Sequence, residues 1–139
     1  MIQNIYQELT ELRKNAKLSI ADVARKRGLQ YHVIQELENP EIDNKLFSIL
    51  AYLAFFNKTL YIVDYDSVFK IYPENIAAQL KFLREKVGVL QNDLANVLKT
   101  KQHVISRMEH IDHYNPLWKI YTRYLYALAL DLSIGPLNA

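Results

Sequence analysis

Apolar residues return to one helical face along the opening stretch, where Ile5, Leu9, Leu12 and Ala16 predict an amphipathic first helix. Ser19 and Asp22 stand where a capping box would start a second helix running to Arg27, and Gly28 sits where a left-handed residue would end it. A third helix is predicted over 30–37, the Asn39-Pro40 step breaks the chain, and a fourth helix is predicted over 45–56. The apolar, β-compatible run 59–63 predicts a strand. The same order then recurs. Ile76, Leu80, Leu83 and Val87 mark a helix, and three more are predicted over 90–98, 101–108 and 116–127, with Pro116 placed in a first turn. A second strand is predicted over 130–134, and the stretch 64–73 reads as a link.

This recurrence is a repeat in the sequence itself. A shift of 71 positions lays Leu12-Arg13 on Leu83-Arg84, Asp22-Val23-Ala24 on Asp93-Leu94-Ala95, and His32-Val33-Ile34 on His103-Val104-Ile105. Asn4-Ile5 then falls on Asn75-Ile76, Leu9 on Leu80, Glu38 on Glu109, Asn44 on Asn115, Leu46 on Leu117 and Ile49 on Ile120, all without a gap. A one-residue adjustment after these positions brings Leu60-Tyr61-Ile62 against Leu132-Ser133-Ile134. The expected organisation is two domains, 1–66 and 67–139, each with four short helices and a short terminal strand, in a mainly α protein.

Composition narrows the function. Half of the 139 residues are hydrophobic, so a core is feasible even for units of about 60 residues, which fold alone only marginally. The apolar stretch 46–56 is far shorter than the roughly 20 residues of a membrane span, and the polar start argues against a secretory leader. No membrane association is expected. The absence of cysteine removes disulfides and thiolate zinc sites and agrees with a cytoplasmic location. A formal net charge of +2 is uninformative until divided: 1–66 holds 8 Lys+Arg against 9 Asp+Glu (−1), and 67–139 holds 9 against 6 (+3). The second half is the better partner for a polyanion. With no nucleophile beside a base, no phosphate-cradling loop and only 3 glycines, the chain is expected not to be an enzyme and to need no cofactor.

Both copies resemble the Cro/CI (XRE) family of helix-turn-helix regulators. The resemblance rests on the runs 19–24, 28–30 and 34–39 in the first copy, and on Gln91, Leu94-Ala95, Gln102 and Ile105-Ser106-Arg107-Met108-Glu109 in the second. It implies two tandem lambda-repressor-like domains from a bacterium or phage. Two departures stand out: Lys99 replaces the usual Gly, and Ile20 replaces the Gln found at position 91. In this motif the third helix of each copy enters a major groove about 12 Å wide while the second braces it. The resemblance therefore places DNA contacts at Gln30, Tyr31, His32 and Gln35, and at Lys101, Gln102, His103, Ser106 and Arg107, with Gln91 on a phosphate. It also implies that Glu38 pairs with Arg13, and Glu109 with Arg84, as structural ion pairs.

Other residues have competing readings. His103, His110 and His113 form the most suggestive metal-like cluster, yet no Cys and no carboxylate pair accompanies them, so no metal is expected. Val33 and Val104 either touch thymine methyls or pack inward; the basic run Arg25-Lys26-Arg27 either meets phosphate or forms a solvated helix end. Glu36, Glu41 and Asp43 make the first unit acidic near its reading helix, whereas Lys99, Lys101 and Arg107 surround the second, which is therefore expected to be the stronger DNA contact. Relatives dimerise over half-sites about 34 Å apart. A tandem chain would do so as an internal pseudo-dimer with its two strands paired, or as a homodimer, and the aromatics Phe55, Phe56, Tyr121, Tyr124 and Tyr126 are numerous enough to line an interface. The expected function is a sequence-specific regulator of double-stranded DNA, most simply a repressor. The alternatives are an antitoxin bound to a cognate toxin protein and a protein-interaction module that has lost DNA binding.

Overall fold

The structure, a computed structural model, describes residue 2 and residues 4–138. It is mainly helical, with a small three-stranded sheet. The first half contributes α1 (Ile5–Asn15), α2 (Ile20–Arg27), α3 (Tyr31–Leu37), α4 (Leu46–Phe55) and β1 (Lys58–Val63). After β2 (Val68–Lys70) and a single 3-10 turn (Pro73–Asn75) come α5 (Ile76–Val87), α6 (Gln91–Val97), α7 (Gln102–Met108), α8 (Trp118–Ala127) and β3 (Asp131–Pro136). Among the described residues no helix is long and apolar enough to cross a membrane.

Local chemistry sets the helix ends. The Ser19 hydroxyl accepts from the Asp22 N–H and the Asp22 carboxylate from the Ser19 N–H, closing a capping box that satisfies two free donors of α2. Gly28 ends α2 at φ +67°, and Lys99 takes up the same left-handed conformation after α6 at φ +56°, where its Cβ makes the position strained. The exchange also runs the other way: Gly88 is left-handed after α5, and Lys17 after α1.

Three expectations need correction. The stretch 64–73 is more than a link, because its residues 68–70 form β2, antiparallel to β1 with Tyr61 opposite Lys70 and Val63 opposite Val68. Pro116 lies outside α8, which starts at Trp118 with Leu117 as its N-cap. The Pro116 carbonyl instead accepts from the Leu46 N–H at 2.8 Å, and the Asn44 carbonyl accepts from the Trp118 N–H at 2.8 Å. Finally, the one-residue adjustment comes earlier than the sequence alignment put it. α4 begins after Lys45 and α8 after Leu117, so the equivalent positions are already 72 apart there, and the extra residue belongs to the loop before α8. Leu46 and Ile49 thus correspond to the buried Trp118 and Tyr121, while Leu117, which the ungapped alignment laid on Leu46, is 45% exposed. His113 in that loop is left-handed at φ +54°.

The halves interlock in two places. β1 pairs with β3 antiparallel over six residues, from Lys58 opposite Pro136 to Val63 opposite Asp131, giving the order β2-β1-β3. At the other ends of α4 and α8, each helix is capped by the opposite half: Asn115 Oδ1 accepts from the Phe47 N–H at 2.9 Å, and Asp43 Oδ1 accepts from the Lys119 N–H at 3.1 Å. One continuous core joins Leu9, Ile34, Ile49 and Leu53 to Leu80, Ile105, Tyr121 and Leu125 through Leu60, Ile62 and Leu132 of the sheet. These ties fix how the outer faces of α3 and α7 are held relative to each other.

Candidate nucleic-acid interface

Each third helix is anchored on one side and open on the other. Ile34 and Leu37 bury the inner face of α3 against the core, and Ile105 and Met108 do the same for α7. Outward, Gln30, Tyr31, His32 and Gln35 are exposed in the first half, as are Lys101, Gln102, His103 and Arg107 in the second. Ser106 is half-buried, and Val33 and Val104 are half-buried at the edge of the core. The structure thus leaves most of the expected residues of each half exposed at its third helix, Gln30 and Lys101 as N-caps and the others within the helix, with Gln91 apart on α6.

Gln91 has other employment. Its side-chain amide donates to Glu109 Oε1 at 3.1 Å, and its oxygen accepts from Gln102 Nε2 at 3.5 Å, so it braces α7 from the first turn of α6. A free phosphate contact, as the resemblance implied, would have to share this amide.

Beneath each outer helix lies an ion pair, buried in the second half and part-buried in the first. Arg84 donates through Nε and Nη2 to the two oxygens of Glu109 at 2.7 and 2.9 Å, and its Nη1 donates to the Val89 carbonyl at 2.8 Å. Arg13 meets Glu38 in the same fork at 2.8 and 2.9 Å, with Nη1 on the Leu18 carbonyl at 3.0 Å. The fork ties the first helix of each half to the end of the third, and planar bidentate geometry makes it directional. Burial raises the pKa of each carboxyl, but the hydrogen bonds from arginine, tyrosine and a further donor outweigh it, and both Glu38 and Glu109 end below their ordinary value. A carboxylate so enclosed leaves no charge facing a phosphate.

Sequence reasoning missed the remaining members of these clusters. The Tyr124 hydroxyl donates to Glu109 at 2.6 Å, and the Tyr52 hydroxyl donates to Glu38. Burial together with the neighbouring carboxylate pushes both tyrosine pKa values far up. The signal was available: a tyrosine follows each glutamate by four helical turns' worth of chain, at 52 and at 124. Tyr121 and Tyr124, expected among the aromatics that could line an interface, are both buried inside the molecule. The last donor differs between halves. Thr10 Oγ1 donates to Glu38 at 2.9 Å where the second half has Gln91, so the hydroxyl from α1 compensates for Ile20 at the Gln91 position.

The basic run at the end of α2 does not act as one unit. Arg25 pairs with Asp22 at 3.0 Å on the surface, whereas Arg27 lies 5.7 Å above the Tyr52 ring with its Nη1 buried and unpaired among the described residues. Burial lowers the Arg27 pKa, and the equivalent residue in the second half is the buried Leu98. Arg27 is therefore not a solvated helix end. Among the described residues no group of three or more His, Cys, Asp or Glu is placed to hold a metal ion, and the His110 ring contacts the Ser106 carbonyl at 2.6 Å.

No protein-family model, curated protein or solved structure matches the chain.

Proposed function

We propose that the chain is a sequence-specific regulator that binds double-stranded DNA, with α2–α3 and α6–α7 as two tandem helix-turn-helix units of the Cro/CI type, acting as a repressor by occupying its site. The observation that carries this reading is the pair of short outer helices, each apolar underneath and each offering a compact set of exposed hydrogen-bonding side chains. Such helices suit the major groove, where Gln pairs with adenine and Arg or Lys with guanine, each good pair worth about 1–3 kcal/mol of discrimination. Lys99, Lys101 and Arg107 add positive charge around α7, while Glu36 sits on the exposed side of α3, so the second unit makes the stronger contact. The fork beneath each helix holds its angle on the scaffold.

Selection of binding sites from random duplex tests the reading. One enriched motif is expected, with retention falling steeply between about 50 and 200 mM salt as phosphate contacts are screened. Absence of any enriched motif together with salt-insensitive retention would remove the proposal.

A further inference from the structure

We infer that the cleft between α4 and the β1–β2 hairpin is a binding site for a small phenol-like aromatic molecule. The cleft has a volume of about 370 Å³ and is lined by Leu50, Ala51, Ala54, Thr59, Ile71 and Pro73, with the Lys70 side chain also in its wall. That volume falls in the range of small-molecule sites, and the lining has their chemistry, apolar walls with a few polar groups. The helix behind it is unusual. α4 reads LFSILAYLAF, apolar on nearly every side, and a helix of that kind ordinarily has all its faces covered. Ala51 and Ala54 are nevertheless exposed.

The second half shows what chemistry fills the corresponding place. In the 72-residue register that relates α4 to α8, Ala54 corresponds to Tyr126 and Thr59 to Asp131; in the 71-residue register of the chain entering α1 and α5, Pro73 corresponds to Ile2. In the second half a phenol at the first of these positions reaches the third. The Tyr126 hydroxyl donates to the Ile2 carbonyl at 3.3 Å, and burial and the Asp131 carboxylate together raise its pKa. In the first half the equivalents of all three line the cleft, and alanine stands in place of the tyrosine. The chain thus carries its own template: the side chain missing from Ala54 is a hydroxylated ring held at its hydroxyl by a backbone carbonyl.

The first half also adds two groups suited to such a ring. Thr59 stands where the second half has Asp131, so a neutral hydroxyl-bearing residue lines the cleft in place of a carboxylate. Lys70, with its Nζ 3.1 Å from the Leu137 carbonyl, places a cation at the wall, where it favours an electron-rich ring.

Titration of the ¹⁵N-labelled full chain with 4-methylphenol, read by amide shifts, tests the inference. Saturable shifts are expected at Ala51, Ala54, Thr59 and Ile71, with a dissociation constant of order 1 mM for so small a probe. Cyclohexanol, similar in size but not aromatic, should bind at least about fivefold more weakly. Ala54→Tyr should fill the cleft from within, keep a folded spectrum and abolish the shifts; if that variant does not fold, Ala54→Met is read in the same titration and should weaken them. Shifts that do not saturate, that persist in the filled variant, or that are equal for cyclohexanol would overturn the assignment. So would concentration-dependent dimerisation abolished by Ala54→Tyr, which would give the cleft to a second copy of the chain.

Discussion

The two halves of the molecule build the same scaffold and finish it differently. Each holds its third helix with an Arg–Glu fork and a buried tyrosine, yet the last donor to the carboxylate comes from Thr10 on α1 in one half and from Gln91 on α6 in the other. Glycine and lysine trade left-handed positions, Gly28 against Lys99 and Lys17 against Gly88. The lesson is that the fork and the inner apolar face define the unit, while the donors around them are interchangeable. What differs most is the outside: an acidic residue and an open cleft in the first half, a basic α7 and a self-filled α8 in the second.

Removing a fork is the severest way to break the comparison. Glu109→Gln should destabilise the fold by about 3–5 kcal/mol in urea unfolding, because it leaves the buried Arg84 with only the exposed Glu85 carboxylate, 4.0 Å away, as counter-charge. Glu38→Gln should cost less, since the Glu109 side chain is 0% exposed and the Glu38 side chain 7%. Both carboxyls titrate below their ordinary value of 4.5 in the folded state. The unfolded chain therefore takes up protons first on acidification. Their contribution is complete above pH 4.5 and is lost as pH falls through the folded values, so the acid limb of a stability profile should be shallower in Glu109→Gln than in the parent.

A gentler change sharpens the same point. Tyr124→Phe deletes one donor to a buried carboxylate and should cost about 2 kcal/mol in the same unfolding experiment, with Glu109 still held by Arg84 and Gln91. An unchanged midpoint would mean that the tyrosine is packing alone. The smallest effects belong to the left-handed positions. Lys99→Gly should raise stability by about 0.5–1 kcal/mol by relieving a strained backbone, and Gly28→Lys should lower it by a similar amount. Thermal midpoints moving in the same direction for both would break the equivalence of the halves.

Much of the helical order was legible from period and caps. The Ser19–Asp22 box and the Gly28 stop follow from local chemistry that a single sequence displays, as does the β-compatible character of 59–63 and 130–134. What was not legible depended on contacts between distant segments. β2 is three residues long and exists because β1 offers it an edge, so no internal pattern announces it. Pro116 looked like a helix start because proline suits a first turn, but its carbonyl is engaged by the Leu46 N–H from the other half. The alignment stayed ungapped too long because Leu46 and Leu117 match by type, whereas only burial reveals that Trp118 takes the place of Leu46. Arg27 shows the same limit: a basic run reads as solvated or phosphate-facing, and only the Tyr52 ring beneath it shows where this arginine lies. The exposure of Gln30, Tyr31, His32 and Gln35, and of Lys101, Gln102, His103 and Arg107, was legible from the family resemblance and not from helical spacing, since three residues of each set are consecutive.

The most direct measurement of the central claim is a gel shift on the duplex selected above, comparing Gln102→Ala with Arg107→Ala in one chain and Tyr31→Ala with Gln35→Ala in another. Loss of two base pairings in α7 should weaken binding by about 100-fold or more, and the α3 variant by about tenfold. If both variants, folded by circular dichroism, shift the duplex as the parent does, the outer faces of α3 and α7 are not the reading surface.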